Sequence, residues 1–98
     1  MSSAGSATTR FSVPGHVVSE EVDGELVLLN LHTGIYFGLN QLGTFVWRSL
    51  QSHGDPDQAA VTVHARYPNV PVETIRKDVC DLVGELDSRG LLVRGEHA

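Results

Sequence analysis

Four apolar residues in a row, Leu26-Val27-Leu28-Leu29, follow closely on an Asp23-Gly24 pair, and Leu31 adds a fifth after Asn30. Asp-Gly between apolar runs is a strong hairpin signal, because both turn positions need positive φ. It pairs His16–Val22 with Glu25–Leu31 as antiparallel strands. Successive side chains of a strand point to opposite faces. The run therefore places apolar groups on both faces of a small sheet. One face can be covered by the domain's own helices. The other needs the N-terminal residues, the Leu91–Arg94 segment, or another polypeptide.

The rest of the chain supplies the helices. A turn at His32-Thr33-Gly34 leads to a third strand, Ile35–Leu39, with Ile35, Phe37 and Leu39 on one face and Tyr36 and Gly38 on the other. Asn40 suits a helix N-cap, and Leu42, Phe45, Val46, Ser49 and Leu50 keep helical spacing until Gly54. Asp55-Pro56-Asp57-Gln58 starts a second helix, with Asp55 as cap and Pro56 where a missing N–H is harmless. A third helix is predicted from about Val72 to Arg89, with Val72, Ile75, Val79, Leu82, Val83 and Leu86 on one face. Gly90 followed by Leu91 reads as a Schellman-type stop. Three strands and then three helices make a small α+β domain. The expected limits are residues 13–94, with disordered tails at 1–12 and 95–98.

Composition narrows the function. At 98 residues, 41% hydrophobic and 19% charged, the chain is the size of one globular domain. A single cysteine, Cys80, cannot form an internal disulfide and points to a reducing compartment. No apolar run reaches the roughly 18 residues of a membrane span, and MSSAGSATTR lacks the apolar stretch of a signal peptide. A cytoplasmic protein is expected. The net charge of −5 argues against nucleic acid, whose binding rests on Lys and Arg neutralising phosphates. The third helix sets Arg76, Lys77 and Arg89 against Glu73, Asp78, Asp81, Glu85 and Asp87, so phosphates would repel it as a DNA-recognition helix.

Catalytic chemistry finds little support. His16, His32, His53, His64 and His97 are scattered over unlike segments, and no pair has ligand spacing on one helix. Cys80 sits mid-helix without a base or a cation that sequence alone can place beside it. No phosphate-binding glycine pattern occurs. No enzyme activity, metal or cofactor is expected.

Read as a whole, VLLNLHTGIYFGLNQLGTFVW, the helix start after Gly54 and the closing ELDSRGLL resemble the PqqD-like family of peptide-recognition domains. These serve pathways that modify ribosomally made peptides. The likeness runs from about Pro14 to Val93 and is greatest to the stand-alone recognition proteins of lasso-peptide clusters. It rests on Pro14-Gly15-His16-Val17, on the Thr33-Gly34-Ile35-Tyr36-Phe37 core and on the Gly43 to Trp47 helix. Two departures are visible: Asn30 stands where Asp is common, and Val70-Pro71-Val72 replaces an Asp-Pro helix start, predicting a weaker cap.

The resemblance implies a winged-helix-like fold in which a precursor's leader peptide adds as a strand to the third strand and lies against the third helix. The implied partners are that leader and a leader peptidase or other modifying enzyme. The implied peptide site is Leu28, Thr33, Gly34, Ile35, Tyr36, Phe37, Gly38 and Leu39, with Arg76, Val79, Cys80 and Val83 from the third helix. On the helical wheel Ile75, Leu82 and Leu86 then turn to the core. Arg76, the only cation on the peptide flank, would pair with a leader Asp or Glu if the docking segment carries one; the alternative is a solvated Arg76 paired with Glu73 or Asp81. The alternatives are a peptide chaperone of another pathway such as PQQ biosynthesis, a module permanently bound to an enzyme, and a winged-helix DNA-binding regulator.

Overall fold

The Asp23-Gly24 turn forms with both residues at positive φ, 54° and 83°, as a two-residue hairpin loop requires. The computed structural model describes residues 10–95. The elements run β1 (Phe11–Ser12), β2 (Val17–Val22), β3 (Glu25–Asn30), β4 (Ile35–Gly38), α1 (Gln41–His53), α2 (Pro56–Arg66), α3 (Val72–Ser88) and β5 (Val93–Arg94). Strands β2, β3 and β4 form an antiparallel sheet in that order, with Val18 opposite Leu29 and Leu29 opposite Tyr36. The expected three strands and three helices of an α+β fold are all present.

The run Leu26–Leu29 divides as strand geometry dictates. Leu26 and Leu28 are buried beneath the helices, whereas Val27 and Leu29 lie half-buried on the opposite face. The core beneath the sheet is completed by Leu39, Trp47, Leu50, Val63, Val79, Val83, Leu86, Leu91 and Leu92, among others. Thr44 fastens α1 to the sheet: its Oγ1 accepts the backbone N–H of Leu26 at 3.0 Å inside the core.

Each helix ends by a local rule. Asn40 Oδ1 accepts the Gly43 N–H at 2.8 Å to start α1, and Gly54 closes it in the left-handed conformation. Gly43 also has little room for a side chain, since an added Cβ would stand 3.2 Å from the Leu39 side chain. Asp55 caps α2 through the Asp57 N–H at 2.9 Å. At the start of α3, Pro71 offers no side-chain cap, the weaker beginning that Val70-Pro71-Val72 predicts. Its end is a full Schellman motif, with Gly90 N–H bonded to Asp87 O and Leu91 N–H to Leu86 O.

Asn30 supports the turn after β3 in two ways. Its backbone carbonyl accepts the Thr33 and Gly34 N–H groups, and its Oδ1 accepts the His32 N–H at 2.9 Å. Its Nδ2 then donates to Arg89 O at 3.2 Å, tying the sheet to the end of α3, a bond an aspartate could not make when ionised.

One expectation is corrected. The sequence predicts a disordered tail to residue 12, but Phe11 is buried in the core and Phe11–Ser12 pairs antiparallel with Val93–Arg94. Phe11 N–H donates to Gly54 O, and the Arg10 guanidinium donates to His53 O. Two-residue strands joined across the whole chain leave no periodicity to read. Residues 1–9 and 96–98 lie outside the described residues. Neither β1 nor Leu91–Leu92 covers the second face of the three-stranded sheet, because both pack on the helical side.

Candidate functional site

Strand β4 is hydrogen-bonded to β3 along one side, and its other edge is unpaired among the described residues. Unpaired N–H and C=O groups on an edge are ready to accept another strand. Beside this edge opens a groove of about 770 Å3. Its apolar wall comes from Leu39 after β4, Leu42 and Val46 of α1, Val63 of α2, and Ile75, Val79 and Leu82 of α3, with Tyr67 and Val70 toward one end. The same side chains that bury the core thus leave part of themselves facing a channel.

The groove is electrically one-sided. Glu25 and Asp78 line it, and among the described residues no Lys or Arg does. The Arg89 guanidinium stands 5.0 Å from the centroid of half-buried Phe37, one of the lining residues. Glu85 holds that guanidinium at 3.0 Å, so its charge is already matched. On the exposed side of α3, the hydrogen bond and charge of Asp81 raise Lys77 above the usual lysine value.

The implied site residues do not all come together. Phe37, Gly38, Leu39 and Val79 line the groove. Thr33, Gly34, Ile35 and Tyr36 stand exposed on the turn and the open strand, where Thr33 Oγ1 accepts the Ile35 N–H and Gly34 adopts φ +74°. Leu28 is fully buried and belongs to the core.

Arg76, Cys80 and Val83 lie off the groove. Arg76 is solvent-exposed, and Cys80 and Val83 border a separate shallow depression with Phe11, Pro56 and Asp87. Phe11 of β1 borders that depression beside Val83, while the other flank of α3 faces the groove beside β4. The strip facing the groove is therefore Ile75, Asp78, Val79 and Leu82. Its i, i+3, i+4, i+7 spacing was available in the sequence, but which of two flanks met the sheet depended on an unread strand. Leu42 and Tyr67 belong to apolar stripes of the first two helices, and nothing in those stripes told a groove wall from core; Val70 carried no such signal.

Two of the scattered histidines do meet. His16 and His32 stack with ring centroids 3.9 Å apart, and His16 Nε2 lies 3.0 Å from Gly90 O. Among the described residues no three His, Cys, Asp or Glu side chains are grouped so as to hold a metal ion.

An open sheet edge beside a helix-walled apolar groove defines an α+β domain with a preformed slot for an extended segment. The chain belongs to the PqqD family: the family model described as coenzyme PQQ synthesis protein D matches residues 25–92. Two solved structures share the fold. TbiB1 in complex with the TbiA(beta) leader peptide is 33% identical, with 89% of this chain and 99% of that one covered and a TM-score of 0.79. A lasso peptide synthetase B1 complexed with the leader peptide is 23% identical, with 86% and 98% covered and a TM-score of 0.78. No curated protein matches the sequence significantly.

Proposed function

We propose that this chain is a non-catalytic leader-peptide-binding protein of lasso-peptide biosynthesis. It takes up a ribosomally made precursor by strand addition to β4 and presents it to a leader peptidase. The observation that carries the reading is the unpaired β4 edge running beside the groove. The 33% identity to TbiB1, solved with a leader peptide, supports leader binding, and the lasso assignment rests on the sequence resemblance.

Edge and groove are both required on energetic grounds. Strand β4 has four residues, and a strand turns every second residue's N–H and C=O to a given edge. That allows about four new hydrogen bonds at roughly 0.5–1.5 kcal/mol each. Micromolar binding needs about 8 kcal/mol after the ordering of a flexible peptide. At about 25 cal/mol per Å2, one or two large apolar side chains in the groove supply the remainder. Because Asp78 and Glu25 are its charged groups, the docked segment should be free of carboxylates. This replaces the expectation of an acidic leader residue at Arg76.

Titration with the TbiA(beta) leader peptide, and with the leader of a precursor encoded beside this chain, tests the reading. Amide exchange at Tyr36, Phe37 and Gly38 should slow on binding. Protection confined to Val17–Val22 would place the peptide on the opposite edge of the sheet, and no binding of either leader would sink the proposal.

A further inference from the structure

The two edges of the three-stranded sheet are built differently. On β2, Glu20 and Glu21 place adjacent charges on the outer strand, a common guard against unwanted pairing. On β4 that guard is missing. From Leu26 to Trp47 the chain has no Asp, Glu, Lys or Arg, and β4 holds no proline. Its most exposed apolar side chains are Ile35 and Tyr36, at 59% and 67%.

Hydrogen-bond parity fixes what the β4 edge can offer. Leu39 N–H donates to Leu26 O, so Leu39, Phe37 and Ile35 turn their backbone groups toward β3. Tyr36 and Gly38 turn theirs to the open side. Set Tyr36 opposite Gly38 of a second, antiparallel copy, and about four hydrogen bonds form, using every open group of the strand. A register with Tyr36 opposite Tyr36 would call on Gly34, whose N–H already donates to Asn30 O and whose φ is +74°. The side chains agree with the first register. An added Cβ on Gly38 would meet nothing within 4 Å, so the space above it is free for the Tyr36 ring of the second copy. Phe37 then meets Phe37 of the second copy on the two-fold axis, in a close non-hydrogen-bonded pair. Gly38 lies at the hairpin end of β4, so the acidic Glu20–Glu25 hairpins of the two copies fall at opposite ends of the combined sheet. Their like charges stay apart.

We infer that the chain without leader pairs with a second copy of itself through β4, edge to edge about a two-fold axis, and that leader and second copy exclude one another. The exchange rests on the leader-binding reading above, whereas the pairing rests on β4 alone. A contact between two four-residue strands is small beside the roughly 1,200–2,000 Å2 buried in a stable complex. The pairing is therefore weak and reversible. It covers the open edge between precursors and yields it to a leader, which adds the groove contacts that a second copy lacks.

The cross-linking test uses the full chain in a Cys80→Ser background, which removes its single native thiol. In Phe37→Cys the introduced thiols face each other across the axis, at the Cα separation of about 4.5 Å that a disulfide accepts. In Ile35→Cys the thiol is more exposed, but position 35 faces Leu39 of the second copy, and the two positions 35 stand about 13 Å apart. Under mild oxidation Phe37→Cys should form covalent dimer at least about tenfold faster than Ile35→Cys. Saturating TbiA(beta) leader, or the leader encoded beside this chain, should suppress the reaction. Sedimentation of the wild type from about 10 µM to about 1 mM should show its mass rising from one chain toward two, while Tyr36→Lys stays monomeric. A wild type that remains monomeric throughout, or cross-linking no faster at position 37 than at 35, overturns the inference. So does a dimer that Tyr36→Lys leaves intact, or one that persists when leader is bound. A dimer linked at position 37 that binds neither leader supports the pairing and overturns the leader-binding reading instead.

Discussion

Replacing Asn30 by Asp alters one atom and should cost much of the domain's stability. Asn30 is 4% exposed; its Oδ1 accepts the His32 N–H, and its Nδ2 donates to Arg89 O at 3.2 Å. In Asn30→Asp the acceptor survives, but the donor becomes an oxygen facing a carbonyl oxygen. A half-buried carbonyl left without its partner, with a carboxylate turned toward it, costs about 1–3 kcal/mol. For a domain of this size that lowers Tm by roughly 5–20 °C. The pH dependence follows from the same contact. Burial against a carbonyl raises the introduced carboxyl's folded pKa above its unfolded value of about 3.9. The folded state then binds more protons, so the variant loses stability as pH rises through that folded pKa and recovers it below. Thermal melts of variant and wild type, run side by side from about pH 7 down to about pH 4.5, should show a deficit that narrows on acidification. A Tm within about 2 °C of wild type at neutral pH, or a constant gap, would refute the argument.

Three further outcomes follow. Thr44→Val should lose about 1–3 kcal/mol in denaturant unfolding, because the buried Leu26 N–H loses its acceptor, whereas Thr44→Ser should keep most of it. Leu82→Glu, in the groove wall, should weaken leader binding by about tenfold or more, while Arg76→Ala should leave the dissociation constant within about twofold in the same calorimetric titration. Cys80 is exposed on the flank away from the groove, so its maleimide labelling rate should be the same with saturating leader; protection would relocate the peptide.

What could be read from the sequence was whatever a local rule governs. Asp23-Gly24, Asn40, Gly54, Asp55-Pro56 and Gly90-Leu91 each act through neighbours within a few residues, and the elements they bound fall within a residue or so of expectation. The open strand and its lining by Phe37, Gly38 and Leu39 followed from strand order and alternation. What could not be read depended on contacts between chain ends. Phe11 pairs with Arg94 from the other end of the chain, and it lies against the Val83 flank of α3, away from the groove. The groove strip Ile75, Asp78 and Leu82 lies roughly a third of a turn around α3 from Arg76, Cys80 and Val83. The double-sided run Leu26–Leu29 was informative in a different way: one face found helices, and the other is still bare.

The pairing of Phe11–Ser12 with Val93–Arg94, closed by the bond from Gly95 N–H to Arg10 O at 2.8 Å, makes the way into this fold and the way out of it a single place. A module of that kind can be joined to a neighbour by either end, or spliced whole into a surface loop, without stretching its host. By the same token its ends can be linked by a few residues and the chain reopened at Asp23-Gly24, and the order of the elements would change while the groove kept its walls. Such a domain is portable: either end can be joined to another chain without moving the walls of the groove.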